Sequence, residues 1–444
     1  MPAYIVADLG FGDSGKGSMV DFLVRQHNAA TVVRFNGGAQ AAHNVALPDG
    51  RHHVFAQFGS GTFVPGVRTH LSRFMLVDPV ALWQEDLHLQ AVGVFDAFNR
   101  LSIDERAPVV TCFQRAANRL RELARGCGRH GSCGMGIGET MADLLTHEQI
   151  VLRAGDFRNV HVMREKLRAL QHLTRRQMAR LDLPTTRQTD HEMRCLLDPR
   201  APAEFADLFF NVGSRCAIVP SSRPVLQGNA SVVLEGAQGV LLDEWFGFHP
   251  FTTWSTTTFA NALTLLEENG YSGKVVKVGV LRAYMTRHGP GPFVTEDTRM
   301  TAQIPDMHNR MNAWQCGFRV GWCDLVMLRY ALQVAGGVDQ LAVTCVDRLR
   351  EMGTAKICRG YAHTPAEYFD GNRLRAAKQP DLPYQTRLTE FLATCRPVYE
   401  AISADTLPAR ISEALQTPVS VTSHGPTFQD KQRHTAMRGP GLGR

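Results

Sequence analysis

The sequence predicts an α/β enzyme: a mostly parallel central sheet with helices on both faces, of the P-loop NTPase-like kind, carrying a helical insertion. Three observations predict it. Short β-branched runs alternate with amphipathic stretches over most of the chain. A glycine-rich loop ending in lysine joins the first such run to the first amphipathic stretch. Between about 156 and 220 the strand pattern stops and a helical one replaces it.

The runs Tyr4–Leu9, Ala30–Phe35, Arg73–Val77, Ser231–Leu234, Lys274–Leu281, Gln340–Cys345 and Val419–Thr422 are expected to be buried strands. Most end in a Gly, Pro, Ser or Asp turn before the next helix, the layout of a parallel sheet covered on both faces. In the helical stretch Met163, Leu167, Leu170 and Leu173 share one stripe. Residues 358 to 406 read as mixed and peripheral, and no internal repeat is present. Residues 1–430 are expected to form one catalytic unit, and 431–444 a flexible polar tail with Gly439-Pro440-Gly441 near its end.

The 444 residues can bury a large core, and 44% hydrophobic with 20% charged residues is ordinary for a globular protein. No apolar run approaches a membrane span, and the first strand begins almost at once, without a basic-then-apolar leader. A cytoplasmic protein with no membrane partner is the expectation. The 48 basic and 42 acidic residues are spread along the chain, so the net charge of +6 reads as a mixed solvated surface rather than a nucleic-acid patch. Ten cysteines show neither a C-x-x-C pair nor zinc spacing, which leaves buried free thiols.

The loop Gly10-Phe11-Gly12-Asp13-Ser14-Gly15-Lys16-Gly17 carries the chemistry. Glycines let backbone N–H groups turn toward phosphate oxygens, and the N-terminus of the following helix (Met19, Val20, Phe22, Leu23) adds its positive end. Gly12, Ser14, Gly15, Lys16 and Gly17 are thus candidates to hold a nucleoside triphosphate, with Lys16 on its phosphates. An ordinary Walker loop has Ser or Thr after the lysine to hold Mg²⁺; here Gly17 stands there, and Asp13 inside the loop is the candidate metal ligand.

An aspartate in such a loop resembles the G-D-E-G-K-G loop of adenylosuccinate synthetases. The family's G-G-H-N-A-G-H segment is matched by Arg34-Phe35-Asn36-Gly37-Gly38-Ala39-Gln40-Ala41-Ala42-His43. Leu234-Glu235-Gly236-Ala237-Gln238-Gly239-Val240-Leu241-Leu242-Asp243 is similar to F-E-G-A-Q-G-x-L-L-D. Further on, Tyr284 to Glu296 is similar to Y-x-T-R-x-G-x-G-P-F-x-T-E, Gly321-Trp322-Cys323-Asp324 to G-W-x-D, and Ser423-His424-Gly425-Pro426 to S-x-G-P. The blocks follow the family's order from residue 4 to about 430.

The resemblance implies an enzyme that phosphorylates O6 of a 6-oxopurine nucleotide at the expense of GTP or ATP and then displaces the phosphate with L-aspartate. It implies Asp13 as the base at purine N1, His43 as the catalytic histidine at the γ-phosphate, and Lys16 offsetting phosphoryl charge. It also implies one Mg²⁺ per active site with Asp13 and Ala42 as its contacts. Asp347, Ser423, Gly425 and Pro426 would complete the triphosphate site. Gln40, Ser132, Cys133, Gln238 and Thr258 would join Asp13 around the purine monophosphate. Trp314, Gln315 and Arg319 would lie in the amino-acid loop, and a homodimer is expected. For His43 and Gln238 taken alone, a satisfied buried side chain is the competing reading, and the Thr256-Thr257-Thr258 run also suits a helix cap.

The sequence departs from the family at four places. Asn312 to Val320 replaces T-x-G-R-x-R, so both arginines for the aspartate carboxylates are gone and Arg319 alone remains. Gly131-Ser132-Cys133-Gly134-Met135-Gly136-Ile137-Gly138-Glu139 replaces G-T-T-G-R-G-I-G-P-x-Y, and the arginine reaching a partner's phosphate has no counterpart unless Arg153 serves. Thr344-Cys345-Val346-Asp347 lacks the base-packing lysine of T-K-x-D, leaving GTP and ATP open. Gln40 replaces Asn, and Asn44 stands where Thr is frequent. Trp314–Gly321, His130–Gly134, Thr252–Thr258 and Gln57–Gly61 instead resemble the phage-type branch acting on dGMP. The implied substrate is (d)GMP, slightly ahead of IMP; a ligase for a different amine and a silent nucleotide-binding protein are the other readings.

Overall fold

The computed structural model describes residues 1–228, 230–306, 314 and 317–434. Ten strands form one sheet in the order Lys431–Arg433, Val419–Ser423, Gln340–Thr344, Val275–Arg282, Ala3–Asp8, Val232–Glu235, Thr31–Arg34, Arg68–Leu71, Leu101–Asp104, Ala217–Val219. Every pairing is parallel except that of Lys431–Arg433 with Val419–Ser423. The expected α/β fold is thus the observed one.

Alternation along the central strands divides the core. Ile5, Ala7, Leu234, Leu281 and Val343 join a large cluster on one face of the sheet. Val6, Val233, Val278, Val280 and Ala342 join Met19, Val20, Leu23 and Val24 of helix Lys16–His27 on the other. Both faces need apolar residues, so these strands read as near-continuous hydrophobic runs.

The run Arg73–Val77 is not a strand. The strand is Arg68–Leu71, and residues 73–76 turn beside it before Val77 makes a single bridge to Val109. Its Thr69 and His70 are polar yet buried, because Thr69 Oγ1 accepts from Gly59 N at 3.0 Å and His70 lies between Ser102 Oγ and Ser222 Oγ, 2.9 Å from each. Strands Leu101–Asp104 and Ala217–Val219 were likewise not foreseen, the second because it follows directly on helical sequence.

Residues 160–213 hold helices Val160–Met178, Arg187–Leu197 and Ala201–Gly213. Met163, Leu167 and Leu170 are buried as spaced, and the stripe continues through Thr174 and Met178 while Leu173 is half-buried. These helices pack behind helix Cys112–Arg125, whose opposite face (Asn118, Arg121, Glu122, Arg125) lines the main cavity. In the presumed tail, Lys431–Arg433 is the antiparallel edge strand, and residues 435–444 lie outside the described residues. Among the described residues no helix is long and apolar enough to cross a membrane.

Burial pushes the His70 imidazole down to about 4, with Asp104 opposing. The unfolded chain binds this proton below pH 6.5 and the folded chain only near 4, so stability falls as pH drops through that window, by up to about 3 kcal/mol. Urea unfolding at pH 7 and pH 4.5 should show the loss, and a His70→Gln variant should show less of it; identical pH slopes would remove His70 as the cause.

Candidate active site

The glycine loop is set by strand Ala3–Asp8 and helix Lys16–His27. At the strand's end the buried Asp8 carboxylate accepts from Gly10 N at 2.8 Å, Ser14 N at 2.9 Å and Lys16 Nζ at 3.0 Å. This residue was not foreseen as part of the site; an acid two residues before the loop's first glycine was its signal. Ser14 serves the loop through its backbone N–H, and its carbonyl accepts from Thr344 Oγ1 at 2.7 Å. Asp13 has φ +60°, in the left-handed region, and its carbonyl accepts from Arg282 Nε at 2.5 Å. Gly17 has no room for a hydroxyl side chain. A Cβ there would lie 2.9 Å from His43 carbons and Asn44 O, on the hairpin His43–Ala46/His52–Phe55 that packs against the helix.

A cavity of about 900 Å³ opens above this loop. Gly12, Asp13, Gly15, Lys16 and Gly17 line one side. Gln40, Ala42 and His43 come from the second segment, Ser132 and Cys133 from the third, and Gln238 from the fourth. The structure therefore brings eleven of the expected site residues into one space, although they span more than 200 positions of sequence. Asn36 holds two of those segments together: its Oδ1 accepts from Ala237 N at 2.7 Å and its Nδ2 donates to Ala237 O at 3.1 Å. Gln238, at φ +58°, and Gln40 present amides to this space; neither Gln40 polar atom nor Gln238 Oε1 has a hydrogen-bond partner within the protein. Buried polar atoms so placed are what a hydrogen-bonding ligand satisfies.

His43 is held from behind. Its Nδ1 is 2.5 Å from Glu235 Oε1, and Glu235 also accepts from Ser60 Oγ at 2.5 Å and Ser60 N at 2.9 Å. Burial pushes the Glu235 carboxyl up, but Arg34 and His43 beside it outweigh that and hold it at about 2. Burial pushes His43 down to about 4 against the pull of Glu235. The pair therefore rests as carboxylate and neutral imidazole with its proton on Nδ1, leaving the Nε2 lone pair for the cavity. An anionic phosphate at Nε2 would favour the imidazolium, and only that form donates from Nε2. Burial raises the Asp13 carboxyl above its usual range, while Arg282 and Lys16 pull it back, as a proton acceptor requires.

Other expected residues lie outside this cavity lining. Asp347 is the second residue of the helix Val346–Glu351, just past strand Gln340–Thr344. Ser423 Oγ donates to Gly425 O at 3.0 Å, and the turn through Pro426 is held by Lys431, whose Nζ donates to Gly425 O at 3.0 Å and Thr427 O at 2.9 Å. Burial lowers that ammonium to about 8. Thr258 is buried, and its Oγ1 accepts from Ala260 N at 3.3 Å just before helix Ala260–Glu268, whose N-cap is Phe259. Trp314 packs over Gly134, with the Arg119 guanidinium 5.5 Å from its ring centre, and Gln315 lies outside the described residues. Arg319 spends its donors on Gly289 O, Gly291 O and Glu296, so it braces the neighbouring turn. Arg153 donates to Arg106 O and Glu148, each at 2.7 Å, away from this cavity.

Among the described residues no group of three or more His, Cys, Asp and Glu could hold a metal ion by itself. Mg²⁺ commonly takes one or two carboxylates and fills its remaining positions with waters and nucleotide phosphates. Asp13 and Ala42 both line the cavity, and the Asp13 carboxylate fits that requirement.

A strand-loop-helix phosphate cradle, a buried histidine–carboxylate pair and an acid inside one cavity define a nucleotide-dependent α/β enzyme. The family model described as adenylosuccinate synthetase matches residues 5–431. An adenylosuccinate synthetase of Clostridium beijerinckii is 31% identical, over 98% of this chain and 99% of its own length. One from Chlorobium chlorochromatii is 32% identical, over 96% and 95%. The fully ligated adenylosuccinate synthetase of Plasmodium falciparum superposes with a TM-score of 0.77 at 21% identity, over 97% of this chain and 99% of that one. The succinoaminodeoxyadenylate synthetase of cyanophage S-2L, solved with dGMP and dATP, superposes with a TM-score of 0.60 at 16% identity, over 97% and 95%. The chain belongs to the adenylosuccinate synthetase family, ligases that form a carbon–nitrogen bond.

Proposed function

We propose that this ligase phosphorylates O6 of a guanine nucleotide, dGMP or GMP, and replaces the phosphate with L-aspartate to give the N6-succinyl nucleotide. The observation that carries the chemistry is the meeting of Asp13, Lys16 and His43 in one cavity with the unpartnered amides of Gln40 and Gln238. Asp13 takes the N1 proton, so electron density moves to O6, which attacks the γ-phosphorus as the bond to the diphosphate breaks. Lys16 leaves Asp8 to offset charge on the phosphates, and His43 donates from Nε2 once it carries its second proton. The L-aspartate amine then adds at C6 and phosphate leaves, an amine proton being lost to solvent. Bound Mg²⁺, held by Asp13 and Ala42, would supply charge neutralisation of the polyphosphate.

The guanine preference is supported by the segments that resemble the phage-type branch, Trp314–Gly321, His130–Gly134 and Thr252–Thr258. IMP is the second reading, favoured by curated relatives at 31–32% identity that are adenylosuccinate synthetases. Both bases share N1–H and O6, so only contacts at C2 separate them. We also read the chain as one catalytic unit, including the edge strand Lys431–Arg433, that works as a cytoplasmic homodimer. Phosphate release with Mg²⁺, ATP or GTP, and each of dGMP, GMP and IMP, with and without L-aspartate, tests the reading. The expected result is L-aspartate-dependent release with dGMP. Release with IMP alone would establish the second reading, and release independent of L-aspartate would overturn both.

A further inference from the structure

His288 is a titratable group of the cavity that the chemistry above does not use. It ends strand Met285–His288, at the variable position between the arginine and first glycine of the Tyr284–Glu296 block. In the antiparallel pair with Phe318–Gly321 its register partner is Phe318, and the two rings lie 6.0 Å apart. Gly289 N donates to Gly317 O at 3.1 Å, so His288 stands where the amino-acid loop returns to the sheet. The loop's other flank, Asp306, lines the same cavity and pairs with Arg282 at 3.1 Å. Asp13 and His288 both line this cavity.

Its Nδ1 is buried and has no hydrogen-bond partner within the protein. A dicarboxylate brought to this corner needs N–H donors. The two arginines of the family's T-x-G-R-x-R are absent from Asn312 to Val320, Arg310 lies outside the described residues, and Arg319 is committed to Gly289, Gly291 and Glu296. Arg287, also at the cavity wall, is committed in the same way, donating to Pro290 O at 3.0 Å, Pro292 O at 2.9 Å and Phe251 O at 3.3 Å. We propose that His288 contacts the amine substrate, its Nδ1–H donating to a carboxylate of the incoming L-aspartate. Its place in the cavity with Asp13, opposite Phe318 on the returning strand, is where such a donor would act.

The proposal rests on the reading that L-aspartate is the amine, and the test separates the two. His288→Leu removes the donor; His288→Asn keeps an N–H close to where Nδ1 is. In His288→Leu the KM for L-aspartate should rise about tenfold or more, with the KM for each nucleotide moving by less than about twofold. In His288→Asn the KM for L-aspartate should stay within about threefold of wild type. In ¹⁵N-histidine-labelled wild type holding Mg²⁺, purine monophosphate and a non-hydrolysable triphosphate, the His288 ring resonance should move when L-aspartate is added. That measurement keeps the question open to test if His288→Leu does not fold. An aspartate-dependent wild type whose His288→Leu variant keeps its KM for L-aspartate, or loses nucleotide affinity instead, overturns the assignment of His288 alone. So does an unmoved resonance. A wild type that releases phosphate only with another amine overturns both readings together.

Discussion

Asp13→Asn is expected to lower kcat by about 10³-fold while leaving the protein folded. The substitution keeps the shape of the side chain, and the left-handed backbone at this position (φ +60°) suits Asn as well as Asp. What it removes is the proton acceptor. Burial holds the Asp13 carboxyl above its usual range at the wall of the cavity, with Arg282 and Lys16 pulling against it. An amide in its place cannot take the N1 proton, so O6 remains a poor nucleophile. Nucleotide binding, followed by titration calorimetry, should survive, because Gly12, Gly15 and Lys16 are untouched. Full activity in Asp13→Asn would remove the assigned base. A variant that neither turns over nor binds the triphosphate would instead make metal and phosphate binding the main task of Asp13.

The second large effect is expected at Glu235, which never reaches the cavity itself. Glu235 is fully buried and holds His43 and Ser60, and it lies opposite the fully buried Arg34 on the neighbouring strand. Glu235→Leu leaves the Arg34 guanidinium without its compensating charge and Ser60 without its acceptor. Removing one partner of such a buried set costs about 3–5 kcal/mol. Glu235→Gln keeps the volume but releases the His43 tautomer, since an amide can bond Nδ1 as donor or acceptor. A kcat loss of about 10²-fold or more is expected there, with a smaller loss of stability. Urea unfolding and kcat, measured on both variants, distinguish the roles. If Glu235→Gln matched wild type in kcat, the carboxylate would be structural only.

Much of this site was legible because its residues sit in short glycine-rich blocks. The loop from Gly10 to Gly17 announces a phosphate site by strand, glycines, lysine and helix, all local properties. Asp13, His43 and Gln238 were found the same way, and the structure brings them to one cavity. Asp8, Asn36 and Ser60 were not found: each acts through partners that its neighbours in sequence do not reveal. Asn36 reaches Ala237, and Ser60 reaches Glu235, across some two hundred and 175 positions. Arg319 illustrates the opposite case. Its position beside Gly321-Trp322 suggested a substrate contact, but its side chain closes on the carbonyls of Gly289 and Gly291.

The same division holds for the fold. Near-continuous apolar runs such as Tyr4–Leu9 and Val275–Leu281 carry their own signal, because a strand covered on both faces needs apolar residues on both. Arg68–Leu71 carries none, since its buried Thr69 and His70 are satisfied by Gly59, Ser102 and Ser222, which are distant in sequence. The apolar run from Phe74 to Val77, by contrast, fills the core from a turn. By itself, then, the sequence determined an α/β protein with a phosphate loop and an acid inside it, because strand periodicity and glycine conformation are local. Only the tertiary structure decided which polar groups are spent on holding the loop and which remain for a ligand, because hydrogen-bond satisfaction depends on partners that meet only when the sheet is assembled.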